Sequence, residues 1–141
     1  ESSDSEMRRK EIVQKIKQRK IEIRGAVLIG RHCQIENGAR IVNSCIDNYT
    51  RIAKGATIEN SAIMDRVIIG EKAEVIDSII GRHVTVRSRN EKRTRICDIS
   101  VIADDVTVEE GCNINATKIY PHQEVRGEFQ NQVLMPLQPR P

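Results

Sequence analysis

Aromatic side chains are almost absent from this chain of 141 residues, which has no Trp, one Phe and two Tyr. The apolar share of 38% therefore rests mainly on Ile and Val, whose branched side chains favour pleated strands over helix bundles. A core without large rings has to be built from many small and similar contacts. This composition predicts a repeated β-structure.

Features of several other protein classes are missing as well. The 23 basic and 20 acidic residues leave a net charge of only +3, whereas nucleic-acid-binding proteins carry a larger or more concentrated positive charge. No apolar run reaches the roughly 20 residues that cross a bilayer, and no signal-peptide segment is visible. The four cysteines lack C-x-x-C spacing. We expect a cytoplasmic protein that binds neither nucleic acid nor membrane.

Aliphatic residues recur at intervals of six, six and five. From Ile29 to Val86 the intervals are 6, 6, 5, 6, 6, 5, 6, 6, 5 and 6, and from Ile102 to Ile119 they are 6, 6 and 5. A helix needs spacings of three and four, and an amphipathic strand needs two. A period of 17 in three parts instead predicts a parallel β-helix, whose triangular coils stack about 4.8 Å apart.

Stacked coils would align equivalent side chains in columns. We expect two inward columns, Ile29-Ile46-Ile63-Ile80-Ile102 and Ile35-Ile52-Ile69-Val86-Val108. The residue four positions after each aliphatic residue is also expected to face inward, and it is usually small or β-branched. Three cysteines fall in this set and are interpreted as small core residues: Cys33, Cys45 and Cys112.

Polar residues recur at the same period of 17, as in Asn43-Ser44, Asn60-Ser61 and Asp77-Ser78. Asn, Asp and Ser at corners can hydrogen-bond the turn backbone of a neighbouring coil. We therefore interpret these columns as structural.

The N-terminal end, residues 1–20, is predicted to be a helical or linker segment. Ser3 and Glu6 have capping-box spacing, and Ile12, Val13 and Ile16 form a narrow apolar stripe. We expect this stripe to cover the open first coil, because the ends of solenoids need capping. An anionic partner or a membrane surface is the alternative for its basic residues.

The rest of the chain divides into two predicted parts. Residues 21–120 should form about five coils of 17 residues. Residues 121–141 lose the repeat and are expected to form an irregular cap and tail, with Phe129 and Leu134 covering the last coil.

One interruption stands inside the coils, where the interval from Val86 to Ile96 stretches to 10. About four extra residues within RSRNEKRT should leave the coil as a loop. The loop is strongly basic, with Arg87, Arg89, Lys92, Arg93 and Arg95. A solvated loop is expected, and contact with an acyl-CoA phosphate or with an acidic domain is the alternative.

The phrases IGRHCQIENGARI and IIGEKAEV resemble the hexapeptide repeat of left-handed β-helix proteins. The recurring I-x-N-S-x-I and the ending VEEGCNINATKIYPHQEV, followed by VLMP, are similar to the C-terminal β-helix of sugar-1-phosphate nucleotidyltransferases, such as mannose-1-phosphate guanylyltransferase. The resemblance covers roughly residues 21–136. It implies an all-β fold and a parent reaction in which a sugar-1-phosphate attacks a nucleoside triphosphate, with Mg²⁺ bound and pyrophosphate released.

The family's glycine-rich nucleotide loop and metal-binding Asp have no counterpart in this sequence. The resemblance therefore implies a non-catalytic assembly or regulatory domain, with no catalytic or metal-binding residue of its own. An N-terminal catalytic domain would belong to the parent protein. We expect this chain to self-associate as a dimer or trimer through its flat faces.

Two other functions stay open. Hexapeptide acyltransferases use acetyl-CoA and a general base near neutral pH, for which His83 is the candidate. His32 lies in the same phrase, IGRH, three coils earlier, so the two are about 14 Å apart and cannot share a metal. A stand-alone scaffold is the third reading. A γ-carbonic anhydrase is disfavoured because it needs three closely spaced histidines.

Overall fold

The structure, a computed structural model, describes residues 2–136, with side chains from residue 4 onward. Within this range one α-helix, α1 (Ser2–Lys17), precedes 20 strands of two or three residues each. The strands form three parallel sheets, which are the three sides of a triangular solenoid. Each strand pairs with the strand three places further along the chain, so every coil lies directly on the previous one.

Every third strand belongs to the same sheet. Sheet A contains β1 (Glu22–Arg24), β4 (Arg40–Val42), β7 (Thr57–Glu59), β10 (Glu74–Ile76), β13 (Arg95–Cys97), β16 (Asn113–Asn115) and β19 (Glu128–Gln130). Sheet B contains β2 (Leu28–Ile29), β5 (Cys45–Ile46), β8 (Ala62–Ile63), β11 (Ile79–Ile80), β14 (Val101–Ile102), β17 (Lys118–Ile119) and β20 (Val133–Leu134). Sheet C contains β3 (Gln34–Ile35), β6 (Arg51–Ile52), β9 (Ile68–Ile69), β12 (Thr85–Val86), β15 (Thr107–Val108) and β18 (Glu124–Val125).

The two predicted inward columns are confirmed. Ile29 is in register with Ile46, and Ile35 with Ile52, and the later members continue each column. A third column on sheet A joins them in one continuous core of buried Ile and Val side chains. The predicted all-β, left-handed parallel β-helix is confirmed.

The predicted number of coils is wrong. We number the coils from β1–β3 (coil 1) to β19 and β20 (coil 7), so six are complete and the seventh has two sides. In place of the irregular cap expected from residue 121, β18, β19 and β20 continue the three sheets as far as Leu134, and residues 137–141 lie outside the described range. The repeat did not reveal this coil because the interval from Val125 to Phe129, across the corner between sheets C and A, is only four residues. Gly127 adopts φ +101° in that corner, a conformation that a side chain disfavours.

The predicted second inward set is correct on two sides of the triangle only. Within this set, Cys45, Ala62 and Ile79 are not buried, and all three lie on sheet B. The A-to-B side of a coil, which runs from a sheet A strand to the next sheet B strand, is one residue shorter than the other two sides. As a result, each of these residues directly precedes an inward residue, as Cys45 precedes Ile46. Because successive side chains of a strand alternate, Cys45, Ala62 and Ile79 face outward. The interpretation of Cys45 as a core residue is therefore wrong.

Hydroxyl side chains fill the inward position on the A-to-B side instead. Each hydroxyl accepts a hydrogen bond from a backbone N–H of the next coil, for example Ser44 Oγ from Ser61 N at 3.0 Å and Ser61 Oγ from Ser78 N at 3.1 Å. Each also donates to a backbone carbonyl of its own coil, as Ser61 Oγ does to Glu59 O at 2.8 Å. We call this buried column the hydroxyl ladder: Ser44, Ser61, Ser78, Ser100 and Thr117. The structural role predicted for these serines is confirmed.

Helix α1 covers the open end of coil 1, as predicted. Ile12 is buried against the core, but Val13 and Ile16 are exposed, so the covering stripe is narrower than expected. Ser3 lies inside α1 rather than at its start, and its side chain is outside the described part. Among the described residues, no helix has the length and apolar character required to cross a membrane.

Two basic residues of α1 complete the hydrogen bonding of that end. In later coils the strand carbonyls accept from the coil before, as Ile46 O does from Gly30 N at 2.8 Å. Coil 1 has no preceding coil, and side chains take over this task. Arg9 Nη2 donates to Ile29 O at 2.8 Å, and Lys15 Nζ donates to Ile35 O at 2.7 Å.

Candidate interaction surface

The outward side of sheet B is the apolar side of this solenoid. Along it, six of the seven coils carry an uncharged, mostly aliphatic residue: Leu28, Cys45, Ala62, Ile79, Val101 and Val133. Leu28 is 71% exposed and Ile79 is 45% exposed. Coil 6 carries the charged Lys118 at this position. We call this surface the outer B face.

The equivalent outward columns of the other sides are mostly polar, with Ile68 as the apolar exception. On sheet C the column is Gln34, Arg51, Ile68, Thr85, Thr107 and Glu124. On sheet A it is Glu22, Arg40, Thr57, Glu74, Arg95, Asn113 and Glu128. Contiguous apolar surface of this kind marks an interaction site more often than scattered apolar residues do.

Ile99 stands at the edge of the outer B face. The A-to-B corner of coil 5 has one residue more than the corners of coils 2 to 4, since Asp98, Ile99 and Ser100 occupy the place of pairs such as Asp77-Ser78. The extra residue is pushed outward, and Ile99 is 76% exposed. Its φ is +61°, in the left-handed region. This conformation is unusual for a β-branched residue.

Ile99 and the outer B face together form a shallow, open groove. The groove runs from coil 1 to coil 5 along the A-to-B corners, and Ile99 closes one end. Most of its exposed lining area is apolar and comes from side chains such as Cys45, Ala62, Ile79, Ile99 and Val101, while Asn43, Asn60 and Asp77 line the corners. A groove of this shape presents contact area to a partner.

His83, the candidate base, lies at a corner between sheets B and C. Its side chain is exposed, and its φ is +57°. His32, Tyr49 and Arg66 occupy the same corner in coils 1 to 3. His32 stacks on Tyr49 with ring centroids 4.9 Å apart, and the Arg66 guanidinium lies 4.5 Å from the Tyr49 ring. Within residues 2–136, no cluster of three or more His, Cys, Asp or Glu side chains could hold a metal ion.

The basic loop leaves the solenoid at a different corner, between sheets C and A. Arg89 and Lys92 form an antiparallel bridge, so the loop is a short hairpin. The two-residue strand β12 (Thr85–Val86) lies between it and His83, so the two occupy different corners of the coil. The loop is exposed to solvent, as expected, and three of its basic residues form surface ion pairs with carboxylates of the coils: Arg87 with Glu109, Arg89 with Glu110 and Arg95 with Glu74.

The thiols divide into two groups. Cys45 is exposed on the outer B face, and three cysteines are buried: Cys33, Cys97 and Cys112. Burial raises the pKa of each of these three thiols above its usual value, because a thiolate is disfavoured away from water. Cys33 and Cys112 are therefore small core residues, as predicted.

Comparison with known proteins adds a family and a fold. Residues 23–134 match the GMPPB C-terminal domain family, and no curated protein matches the chain. Among solved structures, the acetyltransferase domain of PglB from Neisseria gonorrhoeae is similar at a TM-score of 0.56 and 15% identity, over 79% of this chain and 58% of that chain. The same domain in complex with acetyl coenzyme A gives 0.55 and 16%, over 68% and 48%.

These structures share the fold, and at such low identity the likeness extends no further. This chain also spans less than two thirds of the length of either. The family match is more specific, since it runs from β1 to the end of β20 and takes in all seven coils. The chain therefore belongs to the GMPPB C-terminal domain family, the C-terminal β-helix of mannose-1-phosphate guanylyltransferase-like proteins.

Proposed function

We propose that this chain is the assembly domain of a sugar-1-phosphate nucleotidyltransferase. In this role it holds catalytic domains together and does not itself transfer the nucleotide. The observation that carries the proposal is the outer B face, an apolar surface on a domain of the GMPPB C-terminal family. The other exposed columns are mostly polar and offer less apolar area to a partner.

The division of labour follows from the chemistry of the reaction. A sugar-1-phosphate oxygen attacks the α-phosphorus of a nucleoside triphosphate, and pyrophosphate leaves. Mg²⁺ neutralises the phosphates during such a transfer and needs carboxylate oxygens to hold it. Among the described residues no acidic cluster suits that task. We assign nucleotide, sugar phosphate and Mg²⁺ to an N-terminal catalytic domain of the parent protein, which we place in the cytoplasm.

The first test is the mass of the native protein, measured by blotting source-cell extract with an antibody raised against this chain. A parent enzyme with one further domain of ordinary size would give a band near roughly 40 kDa. The protein captured by the antibody should then release pyrophosphate from GTP and mannose-1-phosphate, or from another pair in a panel of nucleotides and sugar phosphates. A band at the 16.0 kDa of this chain, without pyrophosphate release, would refute the proposal.

The acetyl-CoA alternative is tested on the purified 141-residue chain. Under that alternative the chain alone would acetylate an amino sugar, and His83→Ala would abolish the activity because the general base is lost. Under the assembly proposal neither the chain nor the variant transfers an acetyl group. Acetyl transfer that depends on His83 would replace the present proposal.

A further inference from the structure

The outer B face alternates in side-chain size along the solenoid axis. Coil 1 presents Leu28, coils 2 and 3 present Cys45 and Ala62, and coils 4 and 5 present Ile79 and Val101. Ile99 adds a second large side chain at the level of coil 5. Two small positions are therefore followed by two large positions. When two such faces meet in opposite directions, the large side chains of one copy lie against the small side chains of the other.

We propose that two copies of this chain form a twofold dimer through antiparallel outer B faces, with Ile99 of each copy inserted over Cys45 and Ala62 of the other. The inference rests on the proposed assembly function and specifies the partner and the arrangement. With the twofold axis between coils 3 and 4, coil 3 lies opposite coil 4, and coil 2 lies opposite coil 5. Ala62 then meets Ile79, and Cys45 meets Val101.

The corner that carries Ile99 selects the antiparallel arrangement. Antiparallel faces bring the A-to-B corner of one copy against the same corner of the other, so Ile99 meets Asn43 and Cys45 of its partner. Parallel faces would oppose each coil to itself. That arrangement would put Ile79 against Ile79 and would place Ile99 over the exposed carboxylate of Asp104.

The area of the face is sufficient for a specific contact of small size. With the twofold axis between coils 3 and 4, six coils overlap; at about 4.8 Å per coil and a side of five to six residues at about 3.3 Å each, they give roughly 520 Å² per copy. Two such faces bury about 1,050 Å², just above the roughly 1,000 Å² that a specific interface with good complementarity needs. Lys118, the one charge in this column, would lie opposite Leu28, where its aliphatic stem can pack and its ammonium group can reach solvent.

Ile99 also has a physical reason to be buried by a partner. Its backbone is in a conformation that β-branched residues avoid, and its side chain is three-quarters exposed. Neither property stabilises the isolated chain. Backbone strain of this kind persists where an interaction depends on it.

The first test is the molar mass of the 141-residue chain in solution, measured by light scattering over a range of concentrations. We expect twice the monomer mass of 16.0 kDa and expect Ile99→Asp to reduce it to the monomer. Ile68→Asp is the matched control, because Ile68 is 46% exposed on sheet C and its substitution should leave the dimer intact. Ile99→Asn removes the apolar side chain and suits the left-handed backbone, so it should give a monomer that still unfolds cooperatively.

The second test is a crosslink that only the antiparallel dimer permits. In Ile99→Cys, the new thiol lies three coils, or about 14 Å, from Cys45 of its own chain, too far for a disulfide. Across the dimer the two positions are adjacent. Mild oxidation should therefore give a covalent dimer, and the same variant carrying Cys45→Ser should give none.

Three results would overturn the inference: a monomer at every concentration, a dimer that survives Ile99→Asp, or a dimer in which Ile99→Cys does not crosslink. Each of them leaves the pyrophosphate assay untouched. Conversely, absence of pyrophosphate release would refute the nucleotidyltransferase proposal and leave the dimer standing.

Discussion

Replacing Ser61 by Ala removes one step of the hydroxyl ladder and allows its energy to be measured. Ser61 Oγ accepts from Ser78 N at 3.1 Å, and Ser78 is only 3% exposed, so water cannot replace the lost acceptor. Glu59 O, which also loses a donor, still accepts from Asp77 N at 2.9 Å. The cost is therefore concentrated on one buried N–H group, for which the expected loss is about 1–3 kcal/mol.

Urea unfolding followed by circular dichroism would measure this loss. With an m-value of about 2 kcal/mol/M, a loss of about 2 kcal/mol lowers the urea midpoint by roughly 1 M. Ser61→Thr is the matched control, because Thr117 occupies the same column with the same hydrogen bonds. Its midpoint should change by much less than that of Ser61→Ala. Equal midpoints for Ser61→Ala and the natural chain would show that the ladder does not stabilise the fold.

Three more predictions concern the cap, the thiols and the hairpin. Ile12→Ala should lower the free energy of unfolding by about 2 kcal/mol, because Ile12 is buried against the core. Val13→Ala, at an exposed position of the same helix, should change it by less than about 0.5 kcal/mol. In the Ile99→Asp variant at pH 7, a coloured thiol reagent should modify Cys45 quickly, and a second fast-reacting thiol would contradict the burial and raised pKa of Cys33, Cys97 and Cys112. Raising the pH should continue to speed the reaction of these three until it passes their raised pKa values, because the thiolate is the reactive form. Glu110→Gln removes an exposed ion pair of the hairpin and should change the free energy of unfolding by less than about 1 kcal/mol in the same urea assay.

The repeat made most of the fold predictable. The positions of Ile29, Ile46 and their equivalents fix a period of 17 residues, and that period determines which strands pair. The seventh coil was missed because the interval from Val125 to Phe129 is four residues, a length that the corner tolerates through its backbone conformation at Gly127. The backbone conformation of one residue therefore decides whether the coil can continue, and the spacing of aliphatic residues gives no information about that conformation.

The candidate surface was less predictable than the fold. Spacing alone assigned Cys45 to the core. On the side from sheet A to sheet B the interval between inward residues is five and not six, so the residue four after Ile41 directly precedes the inward Ile46 and faces outward. The extra residue at Ile99 was visible only as an irregularity between Asp98 and Ser100. Its exposure and backbone conformation depend on how the corner accommodates one more residue, and only the three-dimensional structure supplies that.

The side chains of Arg9 and Lys15 have a consequence for how copies of this chain can associate. A solenoid whose two ends both present free strand edges can add further molecules end to end, and nothing in such a contact limits the length of the resulting filament. Head-to-tail growth requires two free edges per molecule. Here a guanidinium and an ammonium group already occupy carbonyls of the first edge. Arg9 and Lys15 thus oppose end-to-end addition at the first coil, whereas a twofold contact through one side of the solenoid would close after two subunits.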